Sequence, residues 1–253
     1  VVRSIILSKK DRGEADELVV FLTREGGWLR GIAKNAKKSR QRFGGHLEPL
    51  TLVDLLLRPR KKDNLIWIDE AHVAQGLLGI RSDLGKVALA TYFLELAQQL
   101  LPEAQSDAAL FDFMVGFLES LEGALPAPAA SLLEEIRLLG LLGYAPEFHI
   151  CPACAKKIDP GEEAFFSPVN GGVIHSGCAG RIPTDLVISP DTLALVRRGL
   201  ALRNSAASRL KLSKRGATEV RAALSSFVRH LSGQEIKSLA FLEKVAAWPD
   251  PVR

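Results

Sequence analysis

The sequence predicts an α+β chain of two or three small units: an all-β amino-terminal unit, a helical remainder, and a cysteine-bearing element set into it. Three observations carry this. Short apolar runs separated by turn signals fill the stretch up to about residue 78, and from about residue 80 apolar residues recur at three and four. All three cysteines fall between residues 151 and 178. At 253 residues and 47% hydrophobic, the chain can bury a sizeable core.

Residues 3–8, 17–23 and 28–33 read as short strands, with turns at Asp11–Gly13 and Gly26–Gly27. Strands over His46–Leu57 and Leu65–Val73 follow, the latter alternating Ile66 and Ile68 with Trp67 and Asp69. Five short strands with no long helix between them suggest a small barrel or sandwich. Leu84–Leu101, Ala108–Leu121 and Ala130–Leu142 carry helical spacing, bounded by Pro102, Pro126 and Pro128. A knuckle-bearing segment occupies 148–182, and helices are expected near 190–203, 214–232 and 237–247. The boundaries expected are therefore 1–78, then 79–147 with 183–253, and 148–182. No stretch approaches a membrane span, because Glu95, Gln98 and Gln99 interrupt the longest apolar face. The charged start, with Lys9, Lys10 and Asp11, argues against a signal peptide.

Cys151-Pro152-Ala153-Cys154 is followed, after twenty residues, by His175-Ser176-Gly177-Cys178. Two ligand pairs, each separated by two residues, suit tetrahedral Zn²⁺, because tight turns deliver two donors at a time. Four protein ligands close the coordination shell, which fits a structural ion rather than a catalytic one. His149 is a competitor for the fourth position at poorer spacing. The deaminase pattern fails, since His175 follows the Cys pair and Gly177 stands where the glutamate would be. Few cysteines, gathered in one cluster, suit a reducing cytoplasm.

Charge is uneven. Residues 1–62 carry 15 Lys and Arg against 7 acids, residues 63–196 carry 6 against 18, and residues 197–253 carry 12 against 4. Basic ends around an acidic middle suggest a polyanionic partner. Within the first third, Lys34, Lys37, Lys38, Arg40 and Arg42 form an acid-free run joined by Asn35, Ser39 and Gln41. Arg58, Arg60, Lys61 and Lys62 form a second cluster before the next strand. Both suit phosphate contacts that displace counterions, so nucleic-acid binding is the favoured reading of these runs. Phe43 is placed either to stack a base or to anchor the loop. Arg209, Lys211, Lys214 and Arg215 offer a second basic surface.

Other chemistry finds no support. Gly79–Lys86 resembles a phosphate loop, but five residues separate the glycines and Val87 stands where a hydroxyl should bind Mg²⁺. Glu134–Glu135 and Glu162–Glu163 are adjacent pairs that point apart on a helix. Two other classes stay open: a zinc-dependent nucleic-acid enzyme, and a scaffold whose basic loop and structural zinc site serve an acidic protein partner.

The stretch from Gly13-Glu14-Ala15-Asp16 through Thr23 to Glu25-Gly26-Gly27, the basic Ala33–Arg40, Leu47-Glu48-Pro49-Leu50, and Cys151-x₂-Cys154 with Gly171–Ile174 together resemble the RecO family of bacterial recombination mediators. The resemblance spans essentially the whole chain. It departs at His175-x₂-Cys178, where a second Cys pair is usual, and at Asn35, where a glycine is usual. The resemblance implies an amino-terminal OB-fold β-barrel, a mainly helical carboxy-terminal domain with a zinc-ribbon-like element, and no intrinsic catalysis. It further implies binding of single- and double-stranded DNA, annealing, contact with the acidic carboxy-terminal tail of SSB, and cooperation with RecR in loading RecA. For the SSB tail, Arg137 and the Arg197–Arg198 pair are the candidates.

Overall fold

Five strands close on themselves in the order β1 (Val2–Arg12), β2 (Asp16–Thr23), β3 (Gly27–Ala33), β5 (Leu65–Gln75), β4 (Leu52–Pro59). This is a computed structural model, and it describes residues 1–59, 65–179, 186–202 and 210–245. β1 pairs antiparallel with β2 and β4, β2 with β3, and β4 with β5, whereas β3 and β5 run parallel. That is the topology of an OB-type barrel. Strand alternation puts Ile6, Val19, Phe21, Val53, Leu55 and Ile68 inside, with Phe43 and Leu47 of the β3–β4 link completing the core.

The fourth strand begins at Leu52, six residues later than its apolar run predicts. Leu50 takes a left-handed φ of 60°, and Pro49 before it has no N–H for a ladder. Residues 50 and 51 instead dock on a β1 bulge, where Leu50 N–H donates to Ile6 O at 3.1 Å and Ile6 N–H to Thr51 O at 3.0 Å.

The chain divides into two compact units, Val1–Ala124 and Leu125–Arg253. The first holds the barrel with α1 (Leu78–Arg81), α2 (Leu84–Leu100) and α3 (Ala108–Gly123). Asp83 and Asp107 cap α2 and α3, accepting from Lys86 N–H at 3.1 Å and Leu110 N–H at 2.9 Å. Trp28 of β3 donates through Nε1 to Leu101 O at 2.7 Å, and Arg24 and Arg30 make two-point pairs with Asp112 and Glu103. Gly27 (φ 64°) is required where it stands, since a Cβ there would lie 1.9 Å from Gln105 O. Gly79 and Ile80 N–H groups donate to the Glu122 carboxylate, so the segment resembling a phosphate loop is a helix junction.

The second unit contains α4 (Pro128–Leu141), a sheet ordered β7-β6-β8 from β6 (Ala164–Ser167), β7 (Gly172–His175) and β8 (Val187–Ile188), and α5 (Ser176–Ala179). Helices α6 (Pro190–Ala201), α7 (Lys214–Ser232) and α8 (Lys237–Val245) complete it. Among the described residues, no helix is long and apolar enough to cross a membrane. Arg221 of α7 grips Glu135 of α4 through two 2.7 Å bonds, with side chains only 8% and 2% exposed. Arg221 also donates to Ser225, which donates onward to Glu243 at 3.1 Å. Removing one member of such a pair strands the other charge in a dry core. Arg221→Met should therefore cost about 3–5 kcal/mol of stability in urea unfolding. Replacing both partners by apolar residues should cost clearly less.

Candidate metal centre and nucleic-acid interface

The cysteine segment folds as a tight hairpin. Ile150 and Lys157 form a bridge, Cys151 N–H donates to Lys156 O at 2.8 Å, and Ile158 N–H donates to His149 O at 3.0 Å. The turn closes with Ala155 N–H on Cys151 O at 2.8 Å, and Ala155 itself is left-handed at φ 58°. Across from it, His175 ends β7 and Cys178 sits on α5. The four donor atoms of Cys151, Cys154, His175 and Cys178 all lie within 4.8 Å of one another. His149 is exposed and stands outside this group.

His175 Nε2 lies 2.9 Å from Lys157 O and acts as the donor there, which turns Nδ1 toward the sulfurs, 3.4 Å from Cys154 Sγ. Burial opposes ionisation of Cys151, but the backbone N–H groups of His175, Ala153 and Cys154, with the His175 ring, bring its thiol down to about 6. The Lys157 carbonyl raises His175 to about 9 against the effect of burial, aided by Cys151, Cys154 and Glu162. Burial and then the neighbouring Cys154 and Cys151 push Cys178 up to about 11. One thiol ionises readily and another resists, because the hydrogen-bond donors reach Cys151 while Cys178 faces the other two sulfurs. Three cysteine sulfurs and an oriented imidazole form a donor set able to hold a metal ion, which would take the sulfurs as thiolates. Cys154→Ser should abolish bound metal in elemental analysis of the purified protein and lower its melting temperature; metal retained at wild-type stoichiometry would reject this donor set.

The basic loop lies on the barrel. Asn35 N–H donates to Asp16 Oδ1 at 2.9 Å and Lys37 N–H to Ala15 O at 3.1 Å, tying the loop to the β1–β2 turn. Asn35 has φ 55°, a left-handed conformation that Asn tolerates better than most residues. Lys38 and Ser39 N–H groups close that turn on Asn35 O.

Phe43 is 2% exposed and sits in the barrel core beside Leu47, so it anchors the loop and does not stack a base. Arg42 is committed to the fold, donating to Ser39 Oγ and Lys34 O and covering the Phe43 ring at 5.1 Å.

The remaining cations differ in their freedom. Lys34 lies over Trp67 at 4.9 Å, and Lys37 pairs with Asp11 at 2.8 Å. Arg58 makes a two-point bond to Asp69 at 2.9 and 3.0 Å. That bond, against a small burial effect, holds the Asp69 carboxyl below its usual range, and Arg42 adds to the effect. One residue of each basic cluster, Arg58 and Arg42, therefore acts on Asp69. Lys38 and Arg40 are exposed with no ion-pair partner among the described residues. Arg60, Lys61 and Lys62 lie outside the described residues.

Lys9, Lys10 and Arg12 of β1 are not among the sequence-predicted nucleic-acid contacts, although β1 carries them to the same end of the barrel as the loop. Only the docking of the loop on Ala15 and Asp16 reveals this, and it is a long-range contact.

In the second unit, Arg137 donates to Leu202 O at 2.8 Å and pairs with Glu134, while Arg197 donates to Phe148 O at 2.8 Å and Ile158 O at 3.2 Å. Both guanidinium groups hold the fold together, which leaves Arg198 as the exposed member of the predicted tail-binding set. Lys211, Lys214 and Arg215 are exposed, the last paired with Glu219 at 2.7 Å, and Arg209 lies outside the described residues.

Comparison with known proteins agrees with this architecture. Residues 2–77 match the model of the recombination protein O amino terminus, and residues 81–240 that of its carboxy terminus. The DNA repair protein RecO of Anaeromyxobacter dehalogenans is 34% identical over 241 residues, covering 95% of this chain and 94% of the relative. Those of Syntrophus aciditrophicus and Myxococcus xanthus are 31% and 30% identical over 242 residues each, covering 95% and 96% of this chain and 93% and 96% of the relatives. A five-stranded barrel, a Cys₃His cluster and end-to-end similarity of this extent make the chain a member of the RecO family of DNA repair proteins.

Proposed function

We propose that this chain is a recombinational mediator that acts by binding. It holds single- and double-stranded DNA on the barrel, brings complementary strands together for annealing and, with RecR, helps RecA load onto DNA coated by SSB. The acidic carboxy-terminal tail of SSB is its second polyanionic contact. The site of action is the cytoplasm, at the nucleoid.

The observation that carries this reading is the pair Lys38 and Arg40. They are exposed on a loop pinned by Phe43, in a setting where most neighbouring cations already have acidic or aromatic partners. Pinned, unpaired cations meet phosphates without first breaking an internal ion pair. Lys37 and Arg58 form an outer set whose exposed bonds to Asp11 and Asp69 are weak enough to exchange for phosphate oxygens. Zn²⁺ held by Cys151, Cys154, His175 and Cys178 would supply a crosslink between the hairpin and the β7–α5 junction. Every donor position in that set belongs to the protein, so its role is structural.

Lys38→Glu combined with Arg40→Glu should weaken single-stranded DNA binding at least tenfold at low salt. It should also make the log–log salt dependence shallower, by about 0.7 for each lost phosphate contact. Anisotropy titrations of a labelled oligonucleotide at several salt concentrations read both effects. Unchanged affinity and slope, with the variant still folded, would remove these residues from the interface.

A further inference from the structure

The strand registers place Leu18, Ile32, Trp67 and Arg58 in one row on the outside of the barrel. Leu18 of β2 stands opposite Ile32 of β3, Ile32 beside Trp67 of β5, and Trp67 opposite Arg58 of β4. Val19 and Ile68 lie in the core, Leu57 packs against it, and a Cβ on Gly31 would meet Ile68 at 2.8 Å. Alternation therefore turns all four members of the row outward. Lys34, which follows the inward Ala33, sets its ammonium 4.9 Å from the centre of the Trp67 ring. We propose that Trp67 is a base-stacking platform: one unpaired base of a single strand lies on its ring, and Lys34 and Arg58 take the phosphates beside that base. The inference rests on the DNA-binding reading above and deepens it.

The chemistry at this point selects the occupant. Trp67 is half-buried, whereas Lys34 and Arg58 are exposed. Ile32, at 2% exposed, flanks the ring and is not itself offered to a ligand. The ring face under Lys34 is turned to an exposed, flexible side chain, so a ligand reaches it by displacing that chain alone. An ammonium over an exposed ring is a weaker contact than a stacked base, so the exchange runs toward the base. The displaced ammonium then lies within reach of the phosphate joined to it. Arg58 stands directly across from the ring, and its exposed bond to Asp69 is weak enough to yield to a second phosphate. A bare phosphate or an acidic peptide would satisfy the two cations and leave the ring without a planar partner. A nucleotide supplies the planar group and the anion a few bonds apart.

The platform divides the DNA contacts into two kinds. Phosphate contacts at Lys38 and Arg40 are open to single strands and duplex alike. Stacking on Trp67 is open only to an unpaired base, because a base within a duplex is already stacked on both faces. Every base has a π face, so this contact tells paired from unpaired and does not read sequence. A strand that has found its complement loses the Trp67 contact and keeps the phosphate contacts, which weakens the hold on the annealed product.

The test titrates the protein at low salt with a mixed-sequence single strand and with the same sequence as duplex. Affinity is read by anisotropy of labelled DNA, and stacking by tryptophan emission with unlabelled DNA. The single strand should quench the emission and the duplex should not. Trp67→Phe, which keeps a stacking face, should lose the quenching while binding single strands within about threefold of wild type. Trp67→Ala should weaken single-strand binding about tenfold and leave duplex binding in place, which also reports that the variant is folded. Single-strand binding without quenching would overturn the platform and leave the DNA-binding reading standing. Quenching that survives Trp67→Phe would overturn it too, as would a Trp67→Ala variant that weakens both forms equally or neither. Quenching by a peptide of aspartate and glutamate, with none by the oligonucleotide, would assign the row to a protein partner instead. Failure of the wild-type protein to bind the single strand at all would remove the DNA-binding reading itself, and the platform with it.

Discussion

The parallel pairing of β3 with β5 is the constraint on which the amino-terminal unit depends. Adjacent strands of a meander are joined by short turns, but here β4 must leave the end of β3 and return on the far side of β5. The eighteen residues 34–51 that make this passage contain no helix or strand of their own, so their ordering costs considerable chain entropy. Burial of Phe43 and Leu47 in the barrel core offsets that cost. The bonds of Asn35 and Lys37 to the β1–β2 turn, and of Ala71 N–H to Arg42 O, fix the rest of the path. The basic groups are displayed where these contacts hold the passage against the barrel.

Charge on this surface is therefore graded. Arg42 is part of the scaffold, Lys37 and Arg58 have nearby acids, and Lys38 and Arg40 stand unpaired among the described residues. Asp69, set between Arg58 and Arg42, lets two cationic clusters approach each other without mutual repulsion. Such an arrangement supports the proposed polyanion contact, since exposed acids offer the cations an alternative partner on release. The Cys₃His centre follows a different rule. Its donors are converged by hairpin hydrogen bonds, and one imidazole is turned by a backbone carbonyl so that the correct nitrogen faces the sulfurs.

Much of this was legible in the sequence where local periodicity decides the outcome. The strands at 17–23 and 28–33 and the helices after residue 84 lie close to their predicted positions, because alternation and helical spacing are properties of short windows. The convergence of Cys151, Cys154, His175 and Cys178 was legible too, since two tight turns bring each pair together. Long-range contacts hid the rest. The apolar run from His46 reads as strand, yet Leu47 belongs to the core lid and β4 starts at Leu52. Arg42, Arg137 and Arg197 look like free cations in the sequence, and only the folded chain shows the carbonyls they bind. Strands β6 and β7 were foreshadowed by Phe165–Phe166 and Val173–Ile174 on either side of the Pro168–Gly172 turn, a signal overshadowed by the cysteines.

Whether a pinned cationic loop on a closed barrel tracks phosphates is decided by the affinity of the intact protein for a single-stranded oligonucleotide of arbitrary sequence, measured across a range of salt. Tight binding at low salt, falling log-linearly by about 0.7 per phosphate contacted, is the predicted result. Absence of binding at low salt by folded protein, or an affinity indifferent to salt, would contradict it.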